Sequence, residues 1–370
     1  MALRKSSVES LGITCFKNVY RGRRVLVTGH TGFKGSWLAL WLTQLGAGVS
    51  GIALSPPTAP NHWDLLRLPI SDHRLDIRDG SGVTQIVRQL QPEIVFHLAA
   101  QSLVRPSYAD PTGTWSTNVS GTINLLEACR QVSTLRAIVV VTSDKCYANR
   151  GSKRPYRETD CLGGHDPYSA SKAAAEILTA SYRASFLERS ESPLLATARA
   201  GNVIGGGDWS EDRLVPDLVR AIAEKRALEI RSPNATRPWQ HVLEPLSGYL
   251  LLGQQLLEGN RDCGAAWNFG PEAGTSRTVA DLLSSMAAFW PQMPWKVSAA
   301  VQPHETPLLA LDSSRARQKL AWQPVWSFDA TVANTAHWYR HFLETEIVET
   351  RSQLNEYLVD ARHAAATWAS

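Results

Sequence analysis

The sequence contains few cysteines, and they follow no pattern that joins segments or binds a metal. It has five in 370 residues, far apart and without a C-x-x-C pair. Disulfide-stapled domains and structural zinc sites need clustered cysteines, so we expect neither a disulfide framework nor a metal site. A reduced, cytoplasmic setting fits this usage better. The five residues are Cys15, Cys129, Cys146, Cys161 and Cys263.

Long hydrophobic runs and concentrated charge are missing as well. No apolar run approaches the ~20 residues of a membrane-spanning helix, and residues 1–20 hold no apolar core of a secretory signal. The net charge is only +4, and the lysines and arginines are scattered along the chain. We therefore expect no membrane and no nucleic-acid partner. This charge is compatible with a small anionic ligand such as a nucleotide diphosphate.

The sequence does contain a regular alternation of strand and helix patterns. Hydrophobic residues make up 44% and charged residues 19%, as in an ordinary globular protein. The alternation predicts an α/β fold, a Rossmann-type doubly wound parallel sheet followed by a smaller, α-rich C-terminal substrate domain. We divide the chain into 20–200, 201–345 and a tail helix at 346–370, with some crossing back between domains. Strands are predicted at 24–28, 49–54, 74–79, 92–97, 137–141 and 194–200, and helices at 36–45, 110–129, 166–189 and 239–257, among others.

Thirteen tryptophans are an unusual number, and several lie late in the chain. Large aromatic side chains mostly pack, so we expect them in the core or in oligomer contacts. The late ones are Trp290, Trp295, Trp322, Trp326 and Trp338.

Three glycines connect the first predicted strand to the first predicted helix. Gly29, Gly32 and Gly35 stand at G-x-x-G-x-x-G spacing after residues 24–28. Glycines let the backbone turn tightly and approach a pyrophosphate, and the helix N-terminus offers its N–H groups to the phosphates. Three glycines alone are also typical of a structural turn. The flanking strand and helix favour a dinucleotide-binding turn.

The end of the second predicted strand leaves the choice between NAD and NADP open. An acidic residue there would hold the ribose hydroxyls of NAD, but Ser55, Pro56 and Pro57 follow instead, without an arginine beside them. Asp76, at the end of the next predicted strand, has two interpretations. It could accept from an adenine amino group, or it could cap the helix predicted at 80–90.

A hydroxyl, a carboxyl and an amine follow the apolar strand at 137–141. Ser143, Asp144 and Lys145 stand at its carboxyl end. Ligands of open α/β sheets bind at this edge, so these residues are candidates for catalysis. The alternative is an ordinary polar turn after a strand.

A tyrosine and a lysine share one face of the helix that begins after Asp166 and Pro167. Tyr168 and Lys172 are four residues apart. A phenol whose reference pKa is near ~10 needs help to act as a base at neutral pH. A neighbouring ammonium and a positive nicotinamide both favour the phenolate, which could then deprotonate a hydroxyl as hydride leaves it. By spacing alone, a tyrosine and a lysine on one helix face are more often a surface pair.

The second predicted domain contains arginines and a histidine that suit phosphate oxygens. Arginine forks bind phosphates well, although a single arginine is more often a solvated surface residue. Arg237 stands out because its neighbours are not typical of a surface. The candidates are Arg213, Arg231, Arg237 and His241.

Taken together, these segments resemble the extended short-chain dehydrogenase/reductase family, and within it the nucleotide-sugar 4,6-dehydratases. The matching segments occur in family order over nearly the whole chain. They are 28–35, 98–101, 117–122, 168–172, 199–203 and 237–241. Most of these dehydratases have Asp followed by Glu, whereas Asp144-Lys145 is similar to the CDP-glucose 4,6-dehydratases. Residues 28–37 and 205–209 resemble the same sub-family.

The resemblance implies a CDP-glucose substrate, a bound NAD that ends the reaction as it began, and a 4-keto-6-deoxy sugar product of the kind used for lipopolysaccharide O-antigens. Tyr168, assisted by Lys172 and hydrogen-bonded through Ser143, takes the proton of the sugar 4-hydroxyl. Lys145 then removes the C5 hydrogen, and Asp144 protonates the leaving 6-hydroxyl. Alternatively, Lys145 stays charged and stabilises the enolate.

The resemblance also implies the remaining contacts and the assembly. NAD is expected at Gly29, Gly32, Phe33, Gly35, Asp76, Ile77, Ala99, Gln101, Asn118, Tyr168 and Lys172, and the substrate at Asn202, Arg213, Arg237 and His241. A homodimer or a dimer of dimers is implied, built on residues 111–130 and 166–189. The rival functions are a redox-only 4-epimerase or reductase and a catalytically silent cofactor-binding protein.

Overall fold

The structure is a computed structural model that describes residues 14–149, 151, 154–272, 274–290, 294–298 and 309–370. The expectation about a secretory signal concerns residues 1–20, of which 1–13 lie outside this described part. None of the described helices is both long and apolar enough to cross a bilayer. Nor do the described His, Cys, Asp and Glu residues include a group of three or more that could hold a metal ion.

Strands from both halves of the chain build the core of the fold. In the described residues they are β1 Arg24–Thr28, β2 Gly48–Ala53, β3 Ser71–Arg74, β4 Ile94–His97, β5 Ala137–Val141, β6 Leu194–Ala200, β7 Val203–Ile204, β8 Leu228–Ile230, β9 Thr236–Arg237, β10 Gln240–His241, β11 Ala266–Phe269, β12 Arg277–Thr278 and β13 Trp295–Val297.

Seven of these strands form one parallel sheet in the order β11-β6-β5-β4-β1-β2-β3. In this sheet Val25 of β1 lies between Val49 of β2 and Ile94 of β4. The chain runs outward from β1 through β2 and β3, then returns to place β4 on the other side. The strand order therefore reverses between β1 and β4, and their carboxyl ends open a crevice where ligands bind in such sheets. This confirms the predicted Rossmann-type sheet.

Helices cover both faces of the sheet. They are α1 Phe33–Gln44, α2 His62–Leu66, α3 Gly80–Leu90, α4 Val104–Ala109, α5 Pro111–Trp115, α6 Gly121–Cys129, α7 Pro167–Phe186, α8 Leu214–Ala223, α9 Leu243–Leu257, α10 Val279–Ala287, α11 Ser314–Leu320, α12 Phe328–Thr345 and α13 Thr350–His363. A π-helical turn, Ser116–Ser120, joins α5 to α6, so the helix predicted at 110–129 runs through with one local irregularity.

The two faces of the sheet have separate cores because strand side chains alternate. Val25 and Val27 pack with α1, α9 and α13 on one face, and Leu26 packs with α3 and α6 on the other. A third core holds the C-terminal part together around α8, α10 and α12, with Trp338 fully buried in it. Trp322 and Trp326 are also buried, as predicted, whereas Trp295 is 39% exposed.

Several predicted elements were wrong at their ends, and two of them show why. The strand predicted at 74–79 is β3, which ends at Arg74 because its pairing with β2 stops opposite Ala53. The helix predicted at 239–257 begins only at Leu243. The preceding residues pair as β10 with β7, an interaction between distant parts of the chain that local pattern does not reveal.

The chain returns to the sheet after residue 201. Strand β11 is its seventh strand, and α9 packs against β5 and β6. Helix α13 and the residues after it also join the core beneath α1, where Trp368 stacks on Phe16 at 5.2 Å between ring centroids. The division into domains at residue 200 stays a prediction.

Candidate active site

A cavity of about 870 Å³ lies at the carboxyl ends of β1, β4, β5 and β6. Its walls come from the sheet on one side and from the C-terminal part on the other. The sequence-predicted residues that line it are Gly29, Gly32, Phe33, Gly35, Asp76, Ile77, Ala99, Gln101, Ser143, Asp144, Lys145, Tyr168, Lys172, Asn202, Arg213, Arg231 and Arg237. Folding therefore brings residues from distant parts of the chain to one opening.

The glycine turn after β1 has room for no side chain at its two ends. Gly29 has a positive φ of 73°, and a Cβ there would lie 2.7 Å from the backbone nitrogen of Ala99. A Cβ on Gly35 would lie 2.0 Å from the carbonyl oxygen of Gly29. At the start of α1, no side chain caps the helix from Gly32. Its first N–H groups are thus available to an anionic ligand at the cavity wall.

Asp76 lies in the loop after β3 and binds the side chain of Arg78. Its carboxylate accepts two hydrogen bonds from that guanidinium, at 2.6 and 2.9 Å, and the interaction lowers its pKa. The helix that follows is capped by Asp79, which accepts from the backbone of Gly82. The alternative of Asp76 as the helix cap was therefore wrong, and its carboxylate remains at the cavity edge beside Ile77.

Asn118 does not line the cavity. Its side chain is 2% exposed, accepts from the backbone N–H of Gln101 and donates to that residue's carbonyl and to the hydroxyl of Ser171. The amide is fully used in joining the loop after β4 to α7. Asn118 was predicted to contact the cofactor, but its side chain does not line the cavity. Instead, Asn118 holds Gln101, which does line the cavity.

The catalytic candidates after β5 form one turn of 3₁₀ helix, Asp144–Cys146, capped by Ser143. The Ser143 hydroxyl donates to Oδ1 of Asp144 at 3.0 Å and accepts from the backbone N–H of Lys145 at 3.2 Å. Asp144 is 3% exposed, and its Oδ2 has no hydrogen-bond partner among the described residues. Burial raises the pKa of this carboxyl, while Lys145 and Ser143 act to lower it.

Tyr168 and Lys172 face the same turn from α7. The helix begins as predicted, with Asp166 accepting from the backbone of Ser169. Burial raises the pKa of Tyr168 to about 12, and a hydrogen bond with Ser143 lowers it. Lys172 donates to the carbonyl of Val141 at 3.3 Å, and burial lowers its pKa to about 8. The alternative of a surface pair was therefore wrong, because both side chains are buried.

Lys34 is a further amine in this cavity that sequence reasoning did not single out. It lies in the first turn of α1, and its Nζ is 6.0 Å from the centre of the Tyr249 ring. Burial and the nearby charges of Arg213 and Lys172 lower its pKa to about 7, against the opposing effect of Asp144. A charged residue inside the glycine motif was the available signal.

The opposite wall carries several arginines. Arg213 donates to Asp208 at 3.0 Å and lies 3.5 Å from the Ser102 hydroxyl. Arg237 is 6% exposed and lines the cavity near Asn202. Arg231 is paired with Asp212 at the rim, and so is Arg105, which the sequence did not suggest.

His241 was predicted to bind the substrate, and the structure corrects this. Its ring is fully buried and does not line the cavity. It packs edge-on against Trp326, with ring centroids 4.7 Å apart, and against Trp37 at 6.0 Å. Because burial lowers its pKa to about 3, the imidazole is neutral and part of the core.

Known nucleotide-sugar dehydratases resemble this chain in sequence and in fold. A family model described as GDP-mannose 4,6 dehydratase matches residues 26–266, which is more than half of the chain. The chain belongs to this family. A curated CDP-glucose 4,6-dehydratase from Salmonella typhimurium is 44% identical, over 92% of this chain and 98% of that protein.

Solved structures of this dehydratase family and its neighbours share the fold. A dTDP-glucose 4,6-dehydratase from Streptomyces venezuelae, solved with NAD bound, has a TM-score of 0.72 at 25% identity, covering 86% of this chain and 97% of that one. The epimerase Mth375 from Methanothermobacter thermautotrophicus has a TM-score of 0.78 at 24% identity, covering 91% and 96%. The epimerase likeness concerns the fold alone.

Proposed function

We propose that this chain is an NAD-dependent CDP-glucose 4,6-dehydratase, a hydro-lyase that forms CDP-4-keto-6-deoxyglucose and water. One observation carries the proposal. The acid Asp144 and the amine Lys145 share a cavity with Tyr168 and Lys172, so one sugar can meet a redox pair and an elimination pair in turn. The choice of CDP-glucose rests on the 44% identity to the Salmonella enzyme of that name.

The residues around the glycine turn fit NAD. The turn leaves no space for a Cβ at Gly29 or Gly35, and the uncapped start of α1 faces the cavity. Both features suit a pyrophosphate in close contact with backbone. Asp76, Ile77, Ala99 and Gln101 would line the rest of the cofactor. When bound, NAD supplies the acceptor for the hydride from C4 and the donor for its return to C6.

Tyr168 is the proposed base for the sugar 4-hydroxyl. Its raised pKa must fall before it can act. The positive charge of Arg213 already lowers it, and positive charges on Lys172 and on an oxidised nicotinamide would work in the same direction. The hydrogen bond with Ser143 has the same effect. Once the 4-ketone exists, it acidifies the hydrogen at C5.

Asp144 and Lys145 are the proposed elimination pair. Burial raises the pKa of the Asp144 carboxyl, which favours the protonated state that an acid for the leaving 6-hydroxyl needs. Lys145 takes the C5 proton when neutral and returns it to C5 after water has left. The alternative is that a charged Lys145 stabilises the enolate without taking a proton.

Over one turnover, the protons gained and lost by Tyr168, Ser143 and Asp144 balance. While Tyr168 is neutral, the Ser143 hydroxyl donates to Asp144; once Tyr168 is a phenolate, the same hydroxyl can donate to it, and this is how the hydrogen bond lowers the pKa of Tyr168. Tyr168 gains a proton from the 4-hydroxyl, and Asp144 loses one to the departing water. Passing a proton from Tyr168 through Ser143 to Asp144 restores both groups with no net gain or loss.

The substrate's diphosphate would lie against the arginines of the opposite wall. Arg213 and Arg237 are proposed as its contacts, with Asn202 beside the sugar. The proposal includes a cytoplasmic location, which suits the unpaired cysteines, and a role in deoxysugar formation of the kind that supplies O-antigens.

A homodimer or a dimer of dimers is also part of the proposal. The described residues of the helices expected to pair, Pro111–Cys129 and α7, carry large exposed apolar side chains. These are Trp115, Ile177 and Phe186, at 40%, 59% and 45% exposure. Such residues suit a contact between two copies of one surface.

The test is a panel of CDP-, dTDP-, GDP- and UDP-hexoses with added NAD. We expect a keto-deoxy sugar and released water with CDP-glucose, at a rate well above those of the other three. Formation of the C4 epimer without water loss would support the epimerase alternative instead. Bound NAD with no turnover of any hexose would support the catalytically silent alternative.

A further inference from the structure

A buried ion pair lies beneath the 3₁₀ turn Asp144–Cys146, called the catalytic turn below. The pair has no part in the roles assigned above. Glu176 and Arg199 are each 3% exposed, and their Oε2 and Nη2 atoms are 2.7 Å apart. Glu176 extends from α7, one helical turn beyond Lys172, and Arg199 from β6. Two charges so deeply buried persist only where the surroundings satisfy them well.

Two of the partners of this ion pair lie at the two ends of the catalytic turn. The hydroxyl of Thr142, the residue before Ser143, donates to Oε1 of Glu176. Nη1 of Arg199 donates at 2.7 Å to the hydroxyl of Tyr147, the residue after the turn. The entry and the exit of the turn are therefore held by one pair of charges, and Glu176 belongs to the helix that carries Tyr168 and Lys172.

We propose that the Glu176–Arg199 pair positions the elimination groups relative to the redox groups. This inference rests on the proposed function. Tyr168 acts on the sugar first, and Asp144 and Lys145 must then reach C6 and C5 of the same sugar without its release. A turn that shifts against α7 leaves the first step possible and hinders the second, because misplacement by about 1 Å costs up to ~10²-fold in rate.

A purely structural role makes a different prediction. If the pair only stabilised the fold, weakening it would lower the melting temperature and reduce all steps together or none. A positioning role changes the ratio of the two partial reactions, with hydride leaving C4 at close to the parent rate and water loss delayed. The enzyme would then accumulate reduced cofactor together with the 4-keto sugar that still bears its 6-hydroxyl.

Two threonines allow a matched test. Thr142 and Thr197 both donate to Glu176, the latter at 2.7 Å from β6, but only Thr142 adjoins the catalytic turn. Each is replaced by valine, which removes one hydroxyl from the same carboxylate. With CDP-glucose and NAD, the absorbance of reduced nicotinamide and the formation of the keto-deoxy sugar are followed in single turnovers.

We expect Thr142→Val to slow water loss by about 10-fold or more relative to hydride removal, and Thr197→Val to keep the parent ratio within about twofold. Tyr147→Phe tests the other arm, because its ring still stacks on Tyr156 at 5.1 Å and lies under Arg199. It should also trap reduced cofactor, and it covers the case in which Thr142→Val does not fold.

The positioning role would be overturned if Thr142→Val and Thr197→Val showed the same ratio of water loss to hydride removal, and Tyr147→Phe showed the ratio of the parent enzyme. Failure of the proposed function is distinguishable from this result. In that case the parent enzyme itself would form no keto-deoxy sugar from CDP-glucose, whatever the variants do.

Discussion

The surroundings of the Asp144 side chain raise the pKa of its carboxyl group. Its Oδ1 has one partner, its Oδ2 has none among the described residues, and the Gly201 backbone approaches so closely that a Cβ there would lie 2.8 Å from Oδ2. Burial therefore raises its pKa, and the neutral acid persists at higher pH than in an exposed aspartate. An acid for the leaving hydroxyl requires this state.

Replacing Asp144 with asparagine keeps the shape and removes the acid. We expect cofactor reduction by CDP-glucose to continue and water loss to fall by ~10²–10⁴-fold. In the parent enzyme, water loss should decline as pH rises through the Asp144 pKa, because the protonated form is the active one. Single-turnover measurement of both steps across pH checks this, and an unchanged rate of water loss in Asp144→Asn would remove Asp144 from the mechanism.

Lys145 can be tested by isotope exchange. Lys145→Met retains bulk but has no amine, so we expect reduced cofactor to form while exchange of the C5 hydrogen with solvent deuterium is lost. Nuclear magnetic resonance of the recovered sugar measures that exchange. Exchange at the parent rate would mean that another group is the base, and Lys34 is then the next amine in the cavity.

At the residue scale, sequence reasoning predicted residues that share one cavity, while their catalytic roles stay predictions. Ser143, Asp144, Tyr168 and Lys172 could be found because strand ends and helix faces can be read from sequence. It failed for His241, because only the packing of distant tryptophans decides that its ring points into the core.

Among the elements, the glycine turn and α1 make up the most demanding piece of backbone. A Cβ at Gly35 would meet the Gly29 carbonyl at 2.0 Å, whereas one at Gly32 would meet the same atom at 3.4 Å. The two positions belong to one motif but differ in the space available. Substituting each glycine in turn therefore tests whether lack of space, rather than membership of the motif, makes a glycine necessary.

We expect Gly35→Ala to weaken NAD binding by at least ~10-fold, because the turn must open by more than a small adjustment allows. Gly32→Ala should cost clearly less. Isothermal titration of the purified protein with NAD measures both, and circular dichroism confirms that the fold is retained. Equal losses in the two variants would contradict the steric explanation.

The helix α7 and the loop after β3 show what a sequence reveals about elements. Asp166 and Pro167 mark the start of α7 through local chemistry, and the prediction was confirmed. The end of β3 and the start of α9 depend on pairing with β2 and with β7, which are remote in sequence. Such boundaries follow from the assembled sheet and not from the local pattern.

For the whole molecule, the C-terminal segment closes the core rather than being appended to it. Trp368 is 1% exposed and lies against Phe16, Trp41 and Tyr357, with ring centroids 5.2 to 5.9 Å apart. Tyr357 of α13 also donates to the buried Glu244 at 2.9 Å. The segment predicted as a tail helix thus supports α1 and the glycine turn before it.

Trp368→Ala should lower the free energy of unfolding by about 3–5 kcal/mol, the usual cost of emptying a buried aromatic site. Trp295→Ala is the matched control, since Trp295 is 39% exposed and should change stability little. Urea unfolding followed by circular dichroism gives both values. A small effect of Trp368→Ala would mean that the C-terminal segment is not part of the main core.

The proposed dimer surface can be tested in the same way. Ile177→Glu places a charge on α7 at a residue that is 59% exposed, and should convert the protein to monomers if that face is an interface. Ile347→Glu, at 60% exposure but outside both helices, should leave the assembly intact. Analytical ultracentrifugation distinguishes these outcomes, and a parent-like mass for Ile177→Glu would place the interface elsewhere.

In the proposed reaction, one bound sugar loses hydride at C4, then water, and regains the same hydride at C6. CDP-glucose carrying deuterium at C4 tests this when the product is analysed by nuclear magnetic resonance. We expect a 4-keto-6-deoxy sugar with the label at C6. Label retained at C4 of an epimer, or lost to free cofactor, would contradict it.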